Sequence, residues 1–156
     1  MTKEVLRAEL LAALEAALAA ARAAHATAVE GATHAEAKAE NDKDTRGLEQ
    51  SYLARGVAQR VAELETAVHD VGRLALRAFK RTDPVALGAL VTIDEDGEAE
   101  TLFIAPAGGG TMLSGGVQVV TTSSPLGRAL LGKRTGDDVE LKLPGKTREF
   151  SITEIR

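Results

Sequence analysis

The chain has 156 residues, 44% of them hydrophobic, with a formal net charge of −4 and no cysteine. That length allows one ordinary domain or two small ones. The lack of cysteine excludes disulfides and thiolate metal sites, and the mild acidity gives no footprint for broad nucleic-acid binding.

Residues 3 to about 30 read as one helix. Leu11, Leu14, Leu18, Ala21, His25 and Ala28 alternate steps of three and four, the seam of a coiled coil. Gly31 is placed to fray this helix or to end its first regular part. Between Glu30 and Gly47 there is no large apolar side chain, and Glu36, Glu40, Asp42 and Asp44 crowd the stretch. Helical pattern resumes near Thr45 and runs to about Lys80, with Val57, Val61, Leu64, Val68, Val71 and Ala75 on its stripe and Leu48 and Tyr52 extending it. Two such seams on one chain pack most simply as an antiparallel hairpin, with its turn near Lys38 to Asp44. Asp83-Pro84 is expected to end the second helix, because proline disfavours helix at the residue before it. The expected division is 1–82 for the hairpin and 83–156 for a second domain.

In that second domain the period changes to two. GALVTI, a DEDG turn and EAETLFIA read as a strand hairpin. Ala107–Gly110 reads as a flexible glycine-rich turn, and no Gly-Lys-Ser/Thr follows it to make a phosphate cradle. VQVVTT is a further strand. Ser124-Pro125 opens a short helix, PLGRALL, which Gly132 stops; serine at the N-cap and proline at N1 are the expected start chemistry. VELKL, Pro144-Gly145 and REFSITEI form a last hairpin. The fold class is therefore α+β: a coiled-coil helical hairpin, then a small, mostly antiparallel β domain with one short helix. No apolar run approaches the ~20 residues of a membrane span. Glu4, Glu9 and Glu15 interrupt the first apolar stretch, unlike a secretory signal, so a cytoplasmic protein that engages no membrane is expected.

The order Ser124-Pro125-Leu126-Gly127-Arg128-Ala129-Leu130-Leu131-Gly132-Lys133, then Gly136-Asp137, then Pro144-Gly145, resembles the C-terminal domain of the Gre family of bacterial transcript-cleavage factors. The layout matches too, a coiled-coil hairpin followed by an FKBP-like domain starting near residue 83. The resemblance implies RNA polymerase as partner, with the globular domain docking at the rim of the secondary channel and Ser124 and Pro125 near the docking surface. It implies a hairpin that enters the channel and tip carboxylates that help hold magnesium in the polymerase active site, where backtracked RNA is cut near its 3′ end. On this reading the chain is a monomer and not an enzyme alone. Glu40, Asp42 and Asp44 are its catalytic and metal-ligating residues.

The tip departs from the family pattern, which runs Asp, two residues, Glu-Asn, an acidic residue and Tyr. Matching Glu40-Asn41 to the Glu-Asn puts Ala37 where the aspartate belongs and Asp44 where the tyrosine belongs. Matching by arm length puts Glu40 at the aspartate and Lys43 at the glutamate. Either register loses one carboxylate. Glu40 and Asp44, four apart, converge on a helix, whereas Asp42 and Asp44 share an ion only in a turn. An exposed charged tip that is merely solvated stands beside these readings. His25 reads as a packed seam residue, and His34 and His69 have no ligand partner at metal-site spacing. Arg46 and Arg55 suit either RNA phosphate or an ordinary charged helix surface. Three rival functions stay open: a channel regulator that does not stimulate cleavage, a prolyl isomerase (disfavoured by aromatics at 3% and no tryptophan) and a coiled-coil dimerisation module.

Overall fold

The computed structural model describes residues 2–38 and 45–156. Its elements run α1 (Lys3–Lys38), α2 (Thr45–Gly72), β1 (Leu90–Glu95), β2 (Glu98–Ala105), β3 (Met112–Leu113), a 3-10 turn (Ser114–Gly116), β4 (Val117–Thr121), α3 (Pro125–Leu130), β5 (Asp138–Leu143) and β6 (Lys146–Ile155). Two compact units result, one of Met1–Leu11 with Asp70–Arg156 and the other of Ala12–His69. The boundary at 82/83 read from the sequence is not the boundary of these units. The first turns of α1 and residues 70–82 belong with the sheet.

The unit Ala12–His69 is the helical hairpin. Leu14, Leu18 and Ala28 of α1 and Leu64 of α2 are buried, so the seam residues supply the packed face. Arg22 of α1 and Glu65 of α2 pair at 3.3 Å, an exposed contact that adds little stability. Two expectations are corrected. Helix α1 continues through Gly31 to Lys38, because one glycine costs only about 1 kcal/mol relative to alanine and good helix formers surround it. Leu48 and Tyr52 do not extend the buried stripe; they are exposed, as are Val29 and Leu53.

Helix α2 ends at Gly72, not near Lys80, so Asp83-Pro84 does not end it and Ala75 lies off the helix. Beyond Gly72 tertiary contacts replace helical ones. Leu74 is buried, and its carbonyl accepts from Arg7 Nη1 at 2.7 Å. The Arg77 carbonyl accepts from Lys3 Nζ at 2.6 Å. Phe79 packs against the sheet core.

The sheet has six strands in the order β3-β4-β2-β1-β6-β5. It is antiparallel except that β2 and β4 run parallel, Leu102 opposite Gln118 and Ala105 opposite Thr121. Between β1 and β2 the chain reverses through Asp96 (φ 54) and Gly97 (φ 84), the two positive φ values that a tight two-residue hairpin turn requires. Strands β1 and β6 pair with a register shift between Thr92 and Ile93. The core gathers Val91, Ile93, Leu102, Ile104, Leu130, Leu141, Phe150 and Ile152. Fully burying each such side chain contributes about 1.5–3 kcal/mol. In the same unit Leu6 and Leu10 of α1 are fully buried.

Candidate functional site

The local site begins at Ser124. Its backbone is extended (φ −72, ψ 158), and its Oγ accepts from Gly127 N at 3.0 Å while donating to Thr121 O at 2.8 Å. One hydroxyl therefore caps α3 and ties it to the end of β4. Arg128 donates from Nε and Nη2 to Ser123 O at 2.9 and 2.7 Å, closing the same corner from outside. Gly127 is buried, and a Cβ there would lie 1.8 Å from Thr121 O. Close approach of α3 to β4 demands the glycine. Leu130 at the far end of α3 is fully buried.

This corner borders a groove of about 250 Å³. Val119, Thr121, Leu126, Leu141 and Leu143 give it apolar walls, Gly109 and Gly110 one rim, and Ser124, Pro125 and Arg148 another. No aromatic ring lines it. Two of its polar side chains are engaged: Ser124 as the cap, and Arg148 with Glu95 at 2.8 Å and Glu100 at 3.5 Å. The groove is mostly apolar, and it presents no nucleophile with a base beside it.

The Ala107–Gly110 loop is an ordered turn, which corrects the flexible turn expected. Gly110 N donates to Val119 O at 2.9 Å, Thr111 N to Gly108 O at 3.1 Å and Val119 N to Thr111 O at 2.9 Å. Gly108 has φ +83, and a Cβ there would meet Leu10 Cδ1 at 2.5 Å, so this loop also seats the start of α1. Glu9 completes that seat. Its carboxylate accepts from Ser114 N at 3.0 Å and, through a very short bond, from Ser114 Oγ. The hydroxyl first and the amide second hold Glu9 below the usual carboxylate range. Lys3 Nζ donates to the carbonyls of Arg77, Gly88 and Arg156 at 2.6, 3.0 and 3.1 Å. Burial above all, with help from neighbouring Arg77 and Arg156 and against the pull of Glu4, keeps its pKa below the ordinary lysine value.

The structure brings Ser124 and Pro125 together at the groove. Glu40, Asp42 and Asp44 lie outside the described residues, as does the magnesium site assigned to them. Among the described residues no group of three or more His, Cys, Asp or Glu could hold a metal ion. His25 is half-buried on its helix face, and the Arg55 guanidinium sits 5.4 Å over the Tyr52 ring. Sequence reasoning missed the groove and the Lys3, Arg7 and Glu9 contacts. The alternation of Leu141 and Leu143 along β5 was the available sign of the groove. The α1 contacts join residues 67 to 153 positions apart, and nothing local announces them.

Residues 80–156 match the family described as "Transcription elongation factor, GreA/GreB, C-term". The chain is 33% identical over 123 residues to "Transcription elongation factor GreA" of Magnetococcus marinus, covering 75% of this chain and 71% of that one. The chain belongs to the GreA/GreB family of transcription elongation factors. The same-named protein of Rhodospirillum rubrum is 35% identical over 104 residues, 62% of this chain and 60% of that relative, so this match spans less than two thirds of the relative's length. A looser likeness, TM-score 0.41 at 24% identity over 94% of both chains, is to the GreA factor homolog 1 (Gfh1) protein of Thermus thermophilus. Within the Gre match, α3 and its serine-proline start fall inside the matched C-terminal segment, whereas the acidic tip lies outside it. No helix among the described residues is long and apolar enough to cross a membrane.

Proposed function

We propose that the chain is a Gre-type elongation factor that binds RNA polymerase through its sheet unit and stimulates cleavage of backtracked RNA through its hairpin. The observation that carries this reading is the family match to residues 80–156, which contain an apolar groove bordered by Ser124 and Pro125. An FKBP-like body with this groove serves as the docking part, and Ser124 and Pro125 contact the polymerase at its channel rim. No aromatic ring lines the groove, which disfavours a prolyl peptide-bond isomerase.

At the hairpin end, Glu40, Asp42 and Asp44 supply carboxylate oxygens, the donor type magnesium prefers. Bound in the polymerase active site, such an ion activates water for phosphodiester hydrolysis. The chain's own part is to position those oxygens beside the RNA 3′ end. Alanine at Ala37 in one register, or Lys43 in the other, leaves the tip one carboxylate short of the family pattern. That departure favours a second reading, a channel regulator that does not stimulate cleavage.

Two variants separate docking from catalysis. Replacing Glu40, Asp42 and Asp44 together by alanine abolishes RNA cleavage and leaves polymerase binding nearly intact. Replacing Ser124 and Pro125 together by alanine weakens polymerase binding. Equal loss of binding and cleavage in the tip variant contradicts the assignment of catalysis to the tip. Full binding by a stably folded Ser124/Pro125 variant contradicts the docking assignment.

A further inference from the structure

The two edges of the sheet are finished differently. At one end β3 is two residues long, and the loop before it meets the backbone of β4, with Gly110 N donating to Val119 O and Val119 N to Thr111 O, both at 2.9 Å. At the other end β5 pairs with β6 alone. Ile152 N donates to Asp137 O at 2.9 Å. Residues in step with Asp137, namely Val139, Leu141 and Leu143, therefore turn their backbone groups toward β6. The two-residue turn Pro144-Gly145, closed by Leu143 opposite Lys146, sets the same phase. Asp138, Glu140 and Lys142 turn their N–H and C=O groups outward, and among the described residues no hydrogen bond meets those groups.

Such a row of unpaired donors and acceptors is a template for another strand, and charged side chains commonly guard it. On β5 the side chains of Asp138, Glu140 and Lys142 are exposed, Val139 and Leu141 are buried and Leu143 is half-buried. The charges select a register and do not forbid pairing. Against a second copy run antiparallel, a pairing centred on Glu140 or on Lys142 sets like charges directly opposite, which destabilises. Centred on Leu141, it sets none. Glu140 of each copy then stands opposite Lys142 of the other, and Val139 opposite Leu143. Pro144 has no N–H to offer and ends the edge on that side.

We propose that β5 is a contact surface for a second copy of this chain, joined edge to edge across a two-fold axis at Leu141. The outward backbone groups accept any extended strand, as in strand addition generally. The order Glu140-Leu141-Lys142 complements itself when reversed, and that self-complementarity is what a two-fold interface requires. The pairing uses the free edge of both copies, and the opposite edge is already covered, so the assembly closes at two. The surface stands independently of the tip and of the polymerase reading.

The test is sedimentation equilibrium of the full chain from about 10 μM to about 1 mM, the range in which a small interface dissociates, with amide hydrogen exchange at both ends of that range. The wild type shifts from one copy to two. The amides of Asp138, Glu140 and Lys142 gain protection with concentration, while those of Val139 and Leu141 are protected throughout. Glu140→Lys or Lys142→Glu alone sets two like pairs across the joint and weakens self-association about tenfold or more. An equimolar mixture of the two variants pairs as tightly as the wild type, and so does the chain carrying both substitutions. A wild type that stays a single copy at about 1 mM overturns the proposal. So does a pair whose protection falls on the hairpin instead of β5. Single variants that pair like the wild type, or a mixture that fails to regain pairing, overturn it equally.

Discussion

Gly127→Ala is the most demanding test of how the corner between α3 and β4 is built. The added Cβ would stand 1.8 Å from Thr121 O, where real contacts stay above 3.0 Å, so α3 or the end of β4 must move by more than an ångström. Neither moves freely. Thr121 O accepts from Ser124 Oγ at 2.8 Å and from Ser124 N at 3.2 Å, and Leu130 anchors the other end of α3 in the core. Overpacking of this kind costs about 1–3 kcal/mol, and displacing the cap adds about 0.5–2 kcal/mol. The sheet unit should lose about 2–5 kcal/mol, a large part of the ~5–15 kcal/mol that holds a domain folded. Urea unfolding followed on the methyl resonances of Ile93, Ile104 and Ile152 reads this unit directly, while the helical circular-dichroism signal is dominated by α1 and α2. A stability change below about 0.5 kcal/mol, the range of neutral surface substitutions, would refute the close approach of α3 to β4.

Ser124→Ala should cost about 1 kcal/mol by removing the cap, and Ser124→Thr should recover most of it; urea midpoints of the two variants check this. Lys3→Met keeps the stem and removes the ammonium from three carbonyls. Because the site is partly solvated, the loss should be about 1–2 kcal/mol, visible as faster amide exchange at Leu6 and Leu10, and unchanged exchange would speak against the clamp. Glu9 binds its proton less readily in the folded state than in the unfolded one. Its stabilisation is therefore present above the ordinary carboxylate range and is lost as pH falls through its lowered folded value. Acid unfolding should show wild type and Glu9→Gln converging as pH falls; a constant gap across the acid range would contradict the Ser114 contact.

Much of this fold was legible because its signals are local. Asp96-Gly97 marks a hairpin turn by chemistry that works within four residues, and Ser124-Pro125 marks a helix start in the same way. The stripe through Leu14, Leu18, Ala28 and Leu64 declares its buried face by period alone. The misreadings came where distant residues decide. The helical pattern runs past Gly72 in the sequence, but Lys3 and Arg7 capture the carbonyls of Arg77 and Leu74, and the chain leaves the helix. Met112–Leu113 is too short for a period of two to show, and the parallel pairing of β2 with β4 depends on the path of the whole intervening loop. The helix start at Ser124 and Pro125 was legible because capping is local. The groove beside them was not, since its lining comes from three strands, helix α3 and a loop. The acidic tip was legible as composition, and its geometry belongs to residues beyond those described.

The most direct measurement of the central claim is a transcript-cleavage assay. The full chain is added, with magnesium, to a stalled and backtracked RNA polymerase complex carrying RNA labelled at its 5′ end. The account predicts RNA shortened from the 3′ end, at a rate that rises with the concentration of the chain and returns to the intrinsic rate when Glu40, Asp42 and Asp44 are all alanine. Slowed nucleotide addition with no shortened RNA would contradict it.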